Sequence, residues 1–238
     1  CHQLIPRLNH LQLHEELRGA FSLAALLGMA GDPAALALCE RYFARCRARG
    51  LRTWQADFAL LACTIHTLAE DFVSANQWHP IASDLDASFG TSGAKMRHSG
   101  NELEISIGTG NYPRARECLA QIEVSDFGDS VRGKSYLLSA KIRTEQLRPE
   151  FNADDRALIE MQSLHNATKT LFCADGLTIA LGEALLRRGC GPEAGHLLQR
   201  YVSSERREVG PIPPSLLSLI GRGSQRGHTT EPKLVTPA

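Results

Sequence analysis

Aromatic residues are scarce in this chain: Phe, Trp and Tyr make up 6% of its 238 residues. A β-sandwich core draws on them and on many β-branched residues, so the shortage argues against one. Net charge is also missing, because 26 Lys and Arg balance 26 Asp and Glu. No overall field therefore draws in nucleic acid or an anionic membrane. No apolar run reaches the roughly 18–20 residues of a membrane span, and no signal peptide is visible. Cysteine occurs at Cys1, Cys39, Cys46, Cys63, Cys118, Cys173 and Cys190, an odd number with no Cys-x-x-Cys pair. Thiols scattered among apolar residues read as buried free cysteines of a reducing, cytoplasmic protein, not as a disulfide framework. The Asn166-Ala167-Thr168 sequon matters only in a secreted protein. The chain does not open on Met, which fits a fragment or processed form of a longer protein.

What the chain has is Ala and Leu, within a hydrophobic content of 43%. That mix suits closely packed helices, and the expected class is all-α. Helical spacing of apolar residues runs from about Leu8 to Met29, through Leu36–Cys46, and over roughly Thr53–Phe72. It continues, less regularly, through Ile81–Phe89 and Met96–Thr109, then over Tyr112–Ile122, Ser130–Gln146 and Thr170–Arg188. A last strong helix passes through Leu197, Leu198, Tyr201 and Val202. Pro211, Pro213 and Pro214 break the pattern, and Leu216–Ile220 fits a short piece folding back over the end. From Gly221 onward the Gly, Arg, Ser, Thr and Pro content predicts a disordered tail. This divides the chain into a helical repeat domain at 1–210 and a capping segment with tail at 211–238.

The second helices start at junctions of one kind: Gly31-Asp32, Ala75-Asn76, Gly110-Asn111, Phe151-Asn152 and Cys190-Gly191. Successive spacings are 44, 35, 41 and 39 residues. A period near 40 is the mark of helix–turn–helix units stacked so that neighbours bury what one pair cannot. Gly110-Asn111-Tyr112, followed by Ala115 and Leu119, resembles the second-helix half of a tetratricopeptide (TPR) repeat. Gly31-Asp32-Pro33-Ala34-Ala35 and Gly191-Pro192-Glu193-Ala194 resemble it more loosely, over residues 8–206 in all. The resemblance implies a right-handed α-solenoid of about five antiparallel helix pairs, with Ala115 at the closest helix approach and Tyr112 and Leu119 around it. The longer period is similar to that of sensor segments in bacterial regulators.

Chemistry is largely absent from the motifs. His10 and His14 lie four apart with Glu15 and Glu16 adjacent, which is a spacing for two metal ligands, but no third ligand is placed. Cys39 and Cys46 sit two turns apart, as core residues do. Gly108-Thr109-Gly110 begins like a phosphate loop, yet no strand precedes it and no Lys-Ser/Thr follows. Glu70-Asp71 and Asp154-Asp155 are adjacent pairs, whose side chains diverge on a helix, and read as helix-end charges. No metal or cofactor is expected, and no catalytic residue.

Charge placement is more telling. Arg41, Arg45, Arg47, Arg49 and Arg52 form a run without an acid, whereas Thr53–Ala94 contains no Lys or Arg. Such alternation either steers a partner or pairs within the fold. Arg132, Ser139, Arg143 and Gln146 share one polar helix face and are the candidate partner-binding residues. The expected function is a non-catalytic protein–protein interaction module, a scaffold or regulatory helical repeat binding a protein or peptide. The alternative is an effector-sensing segment of a larger bacterial transcription or signalling regulator.

Overall fold

A computed structural model describes residues 4–86, 92–124, 131–167, 171–205 and 211–226. Among them are eleven α-helices and no strand. In order these are α1 (Leu4–Met29), α2 (Ala34–Ala48), α3 (Arg52–Leu68), α4 (Phe72–Asp86), α5 (Ser92–Gly108) and α6 (Tyr112–Val124). There follow α7 (Val131–Glu145), α8 (Asp155–Ala167), α9 (Leu171–Arg187), α10 (Gly191–Arg200) and α11 (Pro214–Arg226). A short π-helical stretch, Tyr201–Glu205, continues α10. None of the described helices is long and apolar enough to cross a membrane.

Contacts group the chain into two compact units, Cys1–Ser125 with Val209–Pro211, and Asp126–Glu208 with Ile212–Ala238. In the first, each of α1–α5 packs on the next, and α3 also touches both α1 and α5. In the second, α7 packs on α8 and α9, α8 on α9, α9 on α10, and α11 on α9 and α10.

One local device closes five of the eleven described α-helices. Gly31, Gly50, Glu70, Gly110 and Gly189 all have positive φ, between 59° and 79°. After each, the next amide reaches back five residues: Asp32 to Leu27, Leu51 to Cys46, Asp71 to His66, Asn111 to Ser106 and Cys190 to Leu185. This is the Schellman closure, which satisfies carbonyls that a helix end leaves open. At three of these points the same residue then starts the next helix. Asp32 Oδ1 accepts from Ala34 N–H at 2.8 Å, Asp71 Oδ1 from Ser74 N–H at 3.2 Å, and Asn111 Oδ1 from Arg114 N–H at 3.3 Å. Asp154 caps α8 likewise, accepting from Ala157 N–H at 2.8 Å.

The second junction is therefore Glu70-Asp71, and the expected junction at Ala75-Asn76 is corrected: those residues lie inside α4. The true point escaped notice because Glu seldom adopts positive φ, where its Cβ crowds the following carbonyl. Ala75 instead holds the position that Ala115 holds in α6. Ala35, Ala75, Ala115 and Ala194 are all completely buried and lie 40, 40 and 79 residues apart. A methyl group at the start of each second helix lets its backbone approach the preceding helix closely. With the register corrected, the spacing within the first unit is 40 residues twice over. Leu119 is buried beside Ala115 as expected, whereas Tyr112 is only half-buried, with Arg116 5.8 Å over its ring.

Both glycines of Gly108-Thr109-Gly110 are structural. Gly110 takes the positive φ, and an added Cβ on Gly108 would stand 2.2 Å from the Phe72 ring of α4. In the first unit Phe58 is fully buried, stacked on Tyr42 at 5.5 Å and met edge-on by Phe21 at 5.8 Å. Burial of a side chain of this size contributes about 1.5–3 kcal/mol.

The second unit ends α7 differently, with no positive φ among its described residues between 146 and 154. Arg187 of α9 reaches across, its Nη1 donating to Arg148 O at 2.9 Å and Phe151 O at 3.1 Å, and Nη2 to Gln146 O. One guanidinium fork does here what a glycine does elsewhere. Glu183 holds Arg187 Nε at 3.2 Å and also accepts from Arg222 Nη2 of α11 at 2.7 Å.

The C-terminal expectation is partly corrected. Gly221–Arg226, whose composition predicts a tail, continue helix α11. Leu216 and Leu219 of that helix are buried with Ala194, Leu198 and Tyr201. Gly223 is where α11 meets α10: an added Cβ would come within 3.1 Å of Gly195 Cα. Residues beyond Arg226, where the disordered tail is expected, lie outside the described residues.

Candidate functional site

The polar face of α7 points into the second unit. Ser139 is buried and donates to Tyr136 O at 2.9 Å, and its Oγ lies 3.1 Å from where a Cβ on Gly176 of α9 would stand. Gln146 is buried and donates from Nε2 to Ala180 O of α9 at 2.8 Å. Arg143 is half-buried beside Gly176, and the side chain of Arg132 lies outside the described residues. Ser139 and Gln146 are thus helix–helix contacts of α7 with α9, not lining of an open groove. The face is polar because the seam between these helices is polar. Ser135 and Thr144 of α7 and Thr178 of α9 are buried along with them.

That seam continues to α8 and α10. Thr178 gives its hydroxyl proton to Ala174 O at 2.7 Å, so the 2.8 Å contact with His165 Nε2 requires that nitrogen to donate. Tyr201 OH donates to Asp175 Oδ1 at 2.8 Å, and its ring meets His165 edge-on at 5.5 Å. A buried aspartate is tolerable when such donors surround it.

Of the candidate metal positions, His14 is engaged in the fold and Cys39 and Cys46 are buried. Trp54 Nε1–H donates to His14 Nδ1 at 3.1 Å, while the His10 side chain lies outside the described residues. Among the described residues no three His, Cys, Asp or Glu are grouped to hold a metal ion. Cys39, Cys46, Cys63 and Cys118 are free and buried, and Cys190 is free and half-buried. Burial pushes the Cys39 thiol up to about 12 and those of Cys63 and Cys118 up to about 11, far from the thiolate a nucleophile needs.

The arginine run is partly consumed by the fold. Arg45 forms a fork on Glu16 of α1, which lowers the Glu16 carboxyl below its usual range. Arg41 and Arg45 sit 5.3 and 5.7 Å from the centre of the Tyr42 ring. Asp154 caps a helix and Asp155 accepts from Arg188 at 2.5 Å, in keeping with helix-end roles. Asp71, at the other adjacent pair, is lowered by its contacts with Ser74 at the start of α4.

Exposed apolar surface is where sequence reading placed no residue. Leu23, Leu26 and Met29 of α1 are 49%, 61% and 54% exposed. Their spacing of three puts them in one row, offset from Leu17, Ala20 and Ala24, which are buried. The clue was present: α1 has apolar residues beyond one stripe, more than a helix covered on one side needs. A second open surface, of ≈ 630 Å³, lies between α7 and α8 and is lined by Lys134, Arg156, Ile159, Glu160, Ser163 and Leu164. No family model, curated protein or solved structure matches the chain.

Proposed function

We propose that this chain is a non-catalytic protein–protein interaction module that takes up a partner's amphipathic helix along the outer side of α1. The observation that carries this reading is the row Leu23, Leu26 and Met29. Three large apolar side chains in line on one helix offer the anchors that a helix-on-helix contact buries. Gly19, one turn earlier, has open space where a side chain would stand, so nothing stands over that end of the row. The 40-residue period, the Schellman closures and the contacts of α3 with α1 and α5 support a right-handed TPR-like solenoid as the scaffold. Five free cysteines among the described residues support a reducing, cytoplasmic setting. Neither a cofactor, a nucleic acid nor a membrane enters this reading.

The test is affinity capture with the intact chain, followed by binding measurements on the recovered partner. Leu26→Glu is expected to weaken binding at least thirtyfold, the effect of losing a hot spot of about 2 kcal/mol. Ile159→Glu, on the α7–α8 surface, is expected to leave it unchanged. Equal binding by wild type and Leu26→Glu rejects the α1 surface. A wild-type dimer in sedimentation that Leu26→Glu converts to monomer makes the occupant a second copy of the chain.

A further inference from the structure

Three residues at the joint of α4 and α5 form a cluster that no interaction role accounts for. His98 Nε2 lies 2.8 Å from Asp86 Oδ2, at the last residue of α4. His79 Nε2 lies 3.2 Å from the main-chain oxygen of His98. The main-chain oxygen carries no proton, so the Nε2 of His79 donates to it, and in the neutral His79 ring Nδ1 is bare. Among the described residues, the Nδ1 of His98 is buried with no hydrogen-bond partner. The two rings meet edge-on, 5.7 Å between centres. Asp86 is itself buried, and a carboxylate at a helix C-terminus is opposed by the helix dipole.

We propose that this cluster makes the α4–α5 joint acid-labile, so that protonation of His79 loosens α5 and α6 from α3 and α4 while leaving the second unit folded. A proton added to His79 must go on Nδ1, beside a second imidazole whose ring centre lies 5.7 Å from its own. The other charges facing His79 do not rescue it. Glu102 of α5 favours the charged ring, but Arg114 of α6 opposes it and is bound to Glu102 at 2.5 Å. Burial is the leading cause that pushes His79 below the ordinary imidazole range, with the contact to His98 O partly opposing it.

The sign follows from that direction. The unfolded chain takes up its proton at the ordinary value of about 6.5, before the folded chain does. Stability contributed by neutral His79 is full above about pH 6.5 and is lost as pH falls toward the lower folded value.

Hydrogen exchange of the intact chain, corrected for the intrinsic pH dependence, tests this. The α5 and α6 amides of wild type are expected to open more readily below about pH 6.5, by up to about tenfold per pH unit for one linked proton. His79→Gln keeps a donor for the His98 carbonyl but cannot charge, and is expected to flatten that slope. Unchanged α5–α6 protection between pH 7.5 and 5.5 overturns the proposal, as does an equal slope in His79→Gln. Should that variant fail to fold, the ring-proton NMR titration of His79 in wild type decides. A midpoint at or above the ordinary value overturns the proposal, and one below it supports it. None of these outcomes bears on binding at α1.

Discussion

The two compact units share the positive-φ closure, which ends α9 of the second at Gly189, but they differ in how they close α7 and fill their centres. Each must close helix ends and bury a face between paired helices. The first unit does so locally: Gly31, Gly50, Glu70 and Gly110 turn the chain within a few residues, and an aromatic cluster around Phe58 fills the centre. In the second, Arg187 closes α7 from a helix some forty residues away, and Ser139, Thr144, Gln146, His165, Asp175 and Thr178 are buried between helices. Apolar packing tolerates small misfits, whereas a polar seam demands that each donor meet its acceptor. The packing around Phe58 is therefore robust to conservative change, and the contacts of Arg187 and Gln146 are geometrically exacting.

The contrast is broken most severely by Ala115→Arg. Ala115 has no exposed surface, so the change drives a charge into the α5–α6 contact and costs about 3–5 kcal/mol. Chemical denaturation followed by unit-resolved hydrogen exchange is expected to show the first unit opening while α7–α11 keep their protection. A parent-like melt removes Ala115 from the close-contact register. Next in size is Arg187→Met, which leaves the carbonyls of Gln146, Arg148 and Phe151 without their shared donor. A loss of about 2–4 kcal/mol is expected, confined to the second unit. Arg187→Lys should recover less than half of it, because an ammonium cannot span the three acceptors as the fork does. Full recovery by Lys means that charge alone mattered. The smallest effect sharpens the comparison: Glu70→Gly relieves a side chain from positive φ and should raise the stability of the first unit by about 1 kcal/mol. A loss of stability there means that contacts of the Glu70 side chain outweigh its strain.

Legibility in the sequence divides along the same line. Helix existence, the Gly31 and Gly110 turns and the helix-end place of Asp154 rest on near-neighbour chemistry, and each is visible in a few consecutive residues. Glu70 is equally local but breaks the residue rule for its backbone state, which shifted one junction by five residues. Ser139 and Gln146 were misplaced for another reason. A polar stripe on a helix reads as solvent-facing unless the partner helix supplies the matching groups, and Gly176 and Ala180 lie more than thirty residues on. Gly223 shows the same limit, since a glycine that admits a neighbouring backbone is written like one that loosens a tail. The α1 row was legible in its excess of apolar residues, but only the packed structure tells which of them are left uncovered.

The recurrence of one backbone closure at residues 31, 70 and 110 has a consequence for how such a chain can grow. Every segment between two of these points begins with an Asx-capped second helix and ends with the left-handed turn that finishes the next first helix. It is a cassette with matching ends. Duplicating or excising one joins a left-handed residue to an Asp or Asn, as every native junction of this kind already does. Length can then change in steps of about forty residues with no new turn to invent.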